Sequence, residues 1–316
     1  MKRDIPLPTN ILLSYHYAKN LDLEELRNLS IIGDSGAFSA KTQGSTVDPH
    51  DLAEWAIKWK HRLKWIASLD VIGNEQATYS NWRLMATQYD LEPIPTIHYG
   101  ANPRALDRYA DHGVDLVGLG GLVKVHTNRQ MRWLIQVFKY ARENHPEMQF
   151  HGWGCTSAPH FRLPFYSVDS STWTASFRYG RAVIYDPDKR VVRRIALDGQ
   201  EVYKGSVPHL LANHYGIAPG AVAESSAANR DQLIRLQALS ESAREQEFRR
   251  VHGPARAPRW GINRRDTERA LHLATTGLGD VKALNDERAL HLATAGRVTS
   301  NASPFHIAAL NKETTE

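Results

Sequence analysis

Three aspartates close apolar runs along the chain. Asp34 follows Ser30-Ile31-Ile32-Gly33, Asp70 follows Trp65-Ile66-Ala67-Ser68-Leu69, and Asp169 follows Phe165-Tyr166-Ser167-Val168. A carboxylate at the end of a buried strand stands where an α/β barrel keeps its reactive groups, at the mouth of a largely apolar pocket. Several carboxylates in one such wall raise one another's pKa, because like charges in a low dielectric oppose a second ionisation. Raised values of that kind suit an acid or a base working near neutrality. Asp169 is the first candidate for chemistry; the alternative is that its side-chain oxygen caps the helix that starts in Ser170-Ser171-Thr172-Trp173.

Other strand ends carry unusual residues too: His98-Tyr99-Gly100, Gly118-Leu119-Gly120-Gly121 and His151-Gly152-Trp153-Gly154. A pair such as Gly120-Gly121 lets backbone amides approach a flat ligand closely, or simply serves a strand-to-helix turn. His98 and His151 read as hydrogen-bond donors into the pocket, since no third ligand stands at metal-ligand spacing. Cys155 reads as a small packed residue, with no activating base at a recognisable distance.

The elements that must position these residues follow from the patterning. Short β-rich runs alternate with helical ones through the first two thirds, as in βα units around a parallel sheet. The expected strands are Ile11–Tyr17, Ser30–Asp34, Trp65–Asp70, Pro93–His98, Asp115–Leu119, Gln149–Trp153, Phe165–Asp169 and Arg181–Tyr185. Leu52, Trp55, Ala56, Trp59 and Leu63 recur at helical spacing after Asp48-Pro49, a capping residue and first-turn proline, and this stripe reads as a core face. Helices are also expected from Asn102-Pro103 to Gly113 and over Thr127 to Asn144. The segment 186–204 reads as a hairpin insertion, with Val191–Leu197 turning at Asp198-Gly199 into Glu201–Tyr203.

After about Pro219 the strand-like runs stop. Ala227 to Arg250 reads as one long helix, and the stretch from Arg249 to Arg265 carries six arginines and no acid. Its Arg249, Arg250, Arg256, Arg259, Arg264 and Arg265, interleaved with Trp260, suit contact with nucleic-acid phosphates, or else form a solvated linker. Glu268–Gly277 returns in near-repeat as Glu287–Gly296, which reads as two short helices, each ended by its glycine. The expected architecture is α/β: a (β/α)8 TIM-type barrel over residues 1–218 with a hairpin insertion at about 186–204, then a helical, Arg-rich C-terminal extension over 219–316.

Composition bounds the function. A chain of 316 residues, 42% of them hydrophobic, buries a sizeable core. The net charge of +5 tilts it toward an anionic partner. Its single cysteine leaves no intramolecular disulfide and no Cys-rich zinc site, and a reducing, cytoplasmic setting is the default. Neither a signal peptide nor an apolar run of about 20 residues is read, so no membrane association is expected.

These pieces together resemble the tRNA-guanine transglycosylase superfamily, α/β barrels that exchange guanine in nucleic acid for a 7-deazaguanine. Asp34-Ser35-Gly36-Ala37-Phe38 is similar to that family's Asp-Ser/Thr-Gly-Gly/Ala-aromatic motif, and Gly118-Leu119-Gly120-Gly121 to its Leu-Gly-Gly segment. His151-Gly152-Trp153-Gly154 followed by Asp169-Ser170 resembles the His-x-x-Gly and Phe-Asp-Ser pair of the archaeal branch. The resemblance spans residues 11 to 186 and implies that Asp169 is the nucleophile and Asp34 the general acid/base. It further implies that Asp70 reads the amino edge of the base, with Ser35, His98, Gly120, Gly121, His151 and Gly152 around it.

Physical chemistry agrees with those roles. Breaking the glycosidic bond builds positive charge on the sugar, which a carboxylate at C1′ stabilises and traps. The departing guanine needs a proton from a second carboxyl group. The family's tRNA enzymes carry a zinc site of three cysteines and a histidine, which one cysteine cannot supply, and a glutamine where His98 stands here. The chain is therefore most similar to the phage and bacterial 7-deazaguanine DNA transglycosylases.

The implied activity is that of a pentosyltransferase without metal or cofactor. It replaces guanine in DNA with a free 7-deazaguanine base such as 7-cyano-7-deazaguanine, in the cytoplasm, or the host cytoplasm if phage-encoded. A homodimer is left open. The rival readings are exchange in tRNA, a non-catalytic nucleic-acid-binding subunit with the same barrel, and an α/β-barrel glycoside hydrolase.

Overall fold

The structure, a computed structural model, describes residues 5–6, 8–175, 179–261 and 267–275. Seven strands follow the expected order: β1 (Asn10–Ser14), β2 (Ser30–Asp34), β3 (Leu63–Ile66), β4 (Thr96–His98), β5 (Leu116–Gly120), β6 (Gln149–Gly152) and β7 (Ser167–Ser170). They are continuous apolar runs because both faces are covered, one by helices and the other by the concave side of the sheet. Ile11, Leu13, Ile31, Ile97, Val117, Leu119 and Val168 point to the helical layer and are fully buried there.

The eighth sheet position is filled differently from expectation. Arg181–Asp186 (β8) does not join the parallel sheet; it pairs antiparallel with Val191–Ala196 (β9) in a separate two-stranded ribbon. The hairpin therefore turns at 187–190, where Asp186 Oδ1 accepts from the amides of Asp188 and Lys189 and Arg190 takes a positive φ of 54°. Glu201–Tyr203, expected as its second strand, is a short 3-10 helix, with Asp198 Oδ1 capping it through the amides of Gln200 and Glu201.

The missing strand comes from the C-terminal segment. Ala270–Ala274 (β10), expected as a helix, is a fully buried strand paired in parallel with β7 on one side and β1 on the other. Alanine and leucine favour helix by propensity, but a gap between two strands offers ten backbone groups a ladder and overrides that preference. The second copy of the repeat, Glu287–Gly296, lies outside the described residues. Residues from both sides of the expected boundary at 218 thus share one sheet, and the extension is not purely helical.

The result is an eight-stranded parallel sheet in the order β3-β2-β1-β10-β7-β6-β5-β4, flanked by helices. It is strongly curled, since Trp65 of β3 lies 5.0 Å from His151 of β6 and 6.4 Å from His272 of β10, centroid to centroid. A parallel bridge, Ala67 with Ile94, links the residue after β3 to the stretch before β4.

The expected helices are largely found: Pro49–Trp59 with Asp48 accepting from His50 N at 2.8 Å, Thr127–Asn144, and Arg230–His252. The stretch after Asn102 is a 3-10 turn, Pro103–Leu106, running into Asp107–Ala110. Trp55 and Trp59 are core residues.

The concave side is filled by a second apolar cluster of Leu12, Ile32, Trp65, Ile94, Leu116 and Ala274, joined by Ala255 and Trp260 from the segment after the long helix. That segment crosses the N-terminal ends of the strands. Asp115 accepts from the amides of Arg259 (2.8 Å) and Trp260 (2.9 Å), and Trp260 Nε1 donates to the Pro93 carbonyl at 2.9 Å. Among the described residues no helix is long and apolar enough to cross a membrane.

If β10 is integral, Leu273→Ala should lower the unfolding free energy by about 2–5 kcal/mol, as for other fully buried leucines. Urea titration checks it; a change of about 0.5 kcal/mol, the scatter of surface substitutions, would make β10 peripheral.

Candidate active site

Because all eight strands run the same way, their C-terminal ends lie on one rim, and Asp34, Asp70, His98, Gly120, His151 and Asp169 all belong to it. Asp34 ends β2, and its Oδ2 accepts from Gly36 N at 3.0 Å in a tight turn. Gly36 takes φ 77°, and a Cβ there would meet the backbone nitrogen of His16 at 2.7 Å, so only glycine serves. Burial, the Asp70 charge and the Asp169 charge push the Asp34 carboxyl up to about 7, against weaker stabilisation from the Gly36 and Ser35 amides. Both other aspartates therefore stand within electrostatic reach of Asp34.

Asp70 has both oxygens engaged. Oδ1 accepts from Ser35 Oγ at 3.2 Å, and Oδ2 lies 2.9 Å from His98 Nε2. His98 Nδ1 lies 3.0 Å from Glu75 Oε1, and Glu75 Oε2 meets Arg108 at 3.3 Å. Burial pulls the His98 pKa down, but the hydrogen bonds and charges of Asp70 and Glu75 outweigh it and hold His98 up at about 9. At neutral pH the ring is a cation that donates from both nitrogens. Burial likewise opposes ionisation of Glu75, and His98 and Arg108 together keep its carboxyl below the usual range. His98 thus holds Asp70 in place, with both nitrogens already committed.

Asp169 lies at the end of β7 and is nearly buried. Its Oδ1 accepts from Gly154 N at 2.7 Å, and His151 Nε2 sits 3.4 Å from the same oxygen. His151 Nδ1 is 2.8 Å from Ser167 Oγ, so a hydroxyl donating to Nδ1 leaves Nε2–H facing the carboxylate. At the start of the helix after β7, Ser170 Oγ accepts from Thr172 N at 3.3 Å. Behind it, a buried ion pair on the long helix anchors the rim. Glu241 accepts from Thr172 Oγ1 at 3.1 Å and from Arg244 at 2.8 Å, and Arg244 donates to the Thr156 carbonyl.

The glycines turn out to make room for side chains of the protein itself. A Cβ at Gly118 or Gly120 would meet the Trp153 indole at 2.3 and 3.0 Å, and that indole donates to Thr96 Oγ1 at 3.1 Å. Gly121, at φ 70°, packs on His98. The Cβ position of Gly152 faces Cys155 and Phe165 of the outer layer, so this glycine points away from the concave side. Trp65, His151, Trp153 and His272 form an aromatic floor beneath the carboxylates, and burial holds His272 neutral by lowering its pKa well below the ordinary value. Cys155 is fully buried, and burial with the Asp169 charge pushes its thiol up, which removes it as a nucleophile.

The arginines expected at phosphates lie elsewhere. Arg249 pairs with Glu245 and Glu268, Arg250 with Glu247, Arg256 with Glu147, and Arg259 lies 3.6 Å from Asp115. Arg256 and Arg259 belong to the segment across the N-terminal strand ends, opposite the carboxylate rim. Arg264 and Arg265 lie outside the described residues.

Sequence reading missed Glu75, Arg108, Ser167 and Glu241. Glu75 follows Asn74, whose side chain accepts from Ala77 N at 3.0 Å, so a helix start was the only available signal. Among the described residues no group of three or more His, Cys, Asp and Glu side chains is arranged to hold a metal ion. Compared with protein-family models, curated proteins and solved structures, the chain matches none.

The Asp34 carboxyl should titrate near 7 by carbon NMR, and Asp70→Asn and Asp169→Asn should each lower that midpoint. A wild-type midpoint in the ordinary carboxylate range would remove the coupling. Folded Asp34 binds its proton more tightly than the unfolded chain does, so its stabilisation is complete below about pH 3.9 and lost as pH rises through about 7. For His98 the corresponding loss runs from about pH 6.5 up through about 9. Denaturation across that window should show a decline in the wild type that His98→Gln lacks.

Proposed function

We propose that the carboxylate rim exchanges guanine in DNA for a free 7-deazaguanine base, such as 7-cyano-7-deazaguanine. The sheet is then a closed (β/α)8 barrel, with Ala67 and Ile94 as its seam. A carboxylate oxygen of Asp169 bonds to the sugar C1′ as the bond to guanine breaks, and Asp34 gives its proton to the departing base. The incoming base loses its ring N–H proton to Asp34, bonds to C1′ and releases Asp169. Each proton and each bond is thereby restored.

The observation that carries this reading is Asp34, held at about 7 by burial and the charges of Asp70 and Asp169. A group with that proton affinity is half protonated at neutrality, so it can donate in one half-reaction and accept in the next. Gly154 N holds Asp169, with His151 Nε2 3.4 Å from the same oxygen, which leaves the other oxygen for the sugar. Asp70, fixed by Ser35 and the His98 cation, keeps lone pairs for the amino edge of a guanine-like base. Selection of guanine over adenine follows, since adenine presents no matching donors on that edge.

Incubating the protein with labelled guanine and either duplex DNA or transfer RNA tests the reading. Uptake into DNA is expected, with kcat/KM falling above about pH 7 as Asp34 loses its proton. Asp169→Ala should abolish uptake, and persistence of label in that variant would remove Asp169 as nucleophile. Preferential labelling of tRNA would move the substrate to RNA with the chemistry unchanged.

A further inference from the structure

Arg249, Arg250, Arg256 and Arg259 pair with acids away from the carboxylate rim, and other cations stand on the rim itself. The helix Thr127–Asn144 starts at that rim because it follows β5. Its Arg129, Arg132, Gln136 and Lys139 fall at spacings of three and four, on one stripe, and all four are exposed. Neither Arg129 nor Arg132 has an acidic partner among the described residues.

Across an open cleft from these arginines runs the loop Tyr99–Pro103, which starts one residue after His98. Trp133 Nε1 donates to the Ala101 carbonyl at 3.0 Å, and Tyr99 meets the Trp133 ring edge-on at 5.8 Å, so the cleft wall is fixed. No acidic residue lines the cleft. Gly100 at its edge takes φ 89°, with nothing within 4 Å of its Cβ position, which leaves its backbone open to a ligand.

A second observation concerns the rim itself. Phe38, Val71, Ile72, Val123 and Tyr179 are large apolar side chains left exposed, and they sit in the connections after β2, β3, β5 and β7. Exposed apolar groups around a mouth that also carries unpaired arginines suit a ligand with both flat bases and phosphates. A membrane surface or an acidic peptide would match the charge, but neither has a base to deliver to Asp34.

We propose that the cleft between Tyr99–Pro103 and the first turns of Thr127–Asn144 binds the sugar-phosphate backbone of a DNA strand whose target nucleotide reaches Asp34 and Asp169. This rests on the base-exchange reading. Arg129 and Arg132 stand roughly 4.5 Å apart along the helix axis, close enough to grip neighbouring phosphates of one strand. The exposed rim side chains then support the bases beside the extruded nucleotide, whose unstacking is offset by these interactions.

Anisotropy of a fluorescein-labelled single-stranded oligodeoxynucleotide, followed across a KCl series, tests the assignment. The double variant Arg129→Ala/Arg132→Ala should bind at least tenfold more weakly. Its salt slope should be shallower by about 0.7 for each phosphate that is no longer neutralised. Arg250→Ala, which breaks a pair with Glu247, should bind like the wild type. Thermal melting, unchanged for these exposed residues, confirms that the double variant is folded. Binding by the double variant with undiminished affinity and slope overturns the proposal, as does tighter binding of the matching RNA. Label uptake into DNA separates the two readings. Uptake undiminished in the double variant rejects the cleft and keeps base exchange, whereas cleft-dependent binding without any uptake in the wild type keeps the cleft and rejects base exchange.

Discussion

The parallel pairing of β10 with both β1 and β7 is the constraint on which the rest of the molecule depends. Without it β1 and β7 would each present an exposed edge, and β3-β2-β1 would be joined to β7-β6-β5-β4 only through the bridge of Ala67 with Ile94. Asp34 belongs to one run and Asp169 to the other, and the path through β1, β10 and β7 is the shorter of the two that join them. β10 sets their relative height through register, since His272 pairs with Asp169, Ala274 with Leu12, and Ser14 with Asp34. The long helix Arg230–His252 secures the insertion: Glu245 accepts from the Leu271 amide at 2.8 Å and from the Asn10 side chain at 2.9 Å, bridging β10 to β1.

Three carboxylates on one rim are tolerated because each is treated differently. Asp70 faces a histidine cation and a hydroxyl, one on each oxygen. Asp169 accepts from a backbone amide at 2.7 Å with a histidine N–H beside it. Asp34 receives only the amides of its own turn, so burial, with the Asp70 and Asp169 charges added to it, appears there as proton affinity. The asymmetry separates one group that stores a proton from one that keeps a lone pair, the division of labour that glycosyl transfer requires. Glu75 makes this work at a distance, because its pairing with His98 and Arg108 holds the imidazolium charged against burial.

How much of this was legible in the sequence depends on how local the determinant was. Both ends of β2, the start of β6 and both termini of Thr127–Asn144 follow from apolar runs and breakers, which act over a few residues. Asp34 and Asp169 were legible for the same reason, whereas Asp70, expected to end a strand Trp65–Asp70, lies four residues past a strand that stops at Ile66. β10 was not, since Ala270-Leu271-His272-Leu273-Ala274 has the composition of a helix and becomes a strand only because β1 and β7 leave a slot between them. The same failure assigned Arg181–Tyr185 to the sheet: a β-rich run shows that a strand forms but not which partner it takes. Gly120-Gly121 was read as a ligand approach or a plain turn, whereas Gly118 and Gly120 admit Trp153, a contact between β5 and the end of β6 that no spacing reveals. The arginines of 249–265 look acid-free in sequence, yet their partners Glu147 and Asp115 come from more than a hundred residues away.

The two ends of the sheet do opposite work, and one depends on the other. At the N-terminal end the segment through Ala255 and Trp260 seals the concave side, and Asp115 satisfies two of its amides. Above the seal lies apolar packing from Leu12, Ile32, Ile94 and Leu116, then the ring layer of Trp65, His151, Trp153 and His272, with His272 fully enclosed. Apolar and aromatic packing therefore lies beneath Asp34, Asp70 and Asp169, a low-dielectric layer that strengthens the field between them. Opening the N-terminal end would admit solvent to that layer, weaken the repulsion and let Asp34 fall back toward an ordinary carboxylic acid. The basic segment thus acts on the rim by closing the far side and keeping the medium beneath the carboxylates dry.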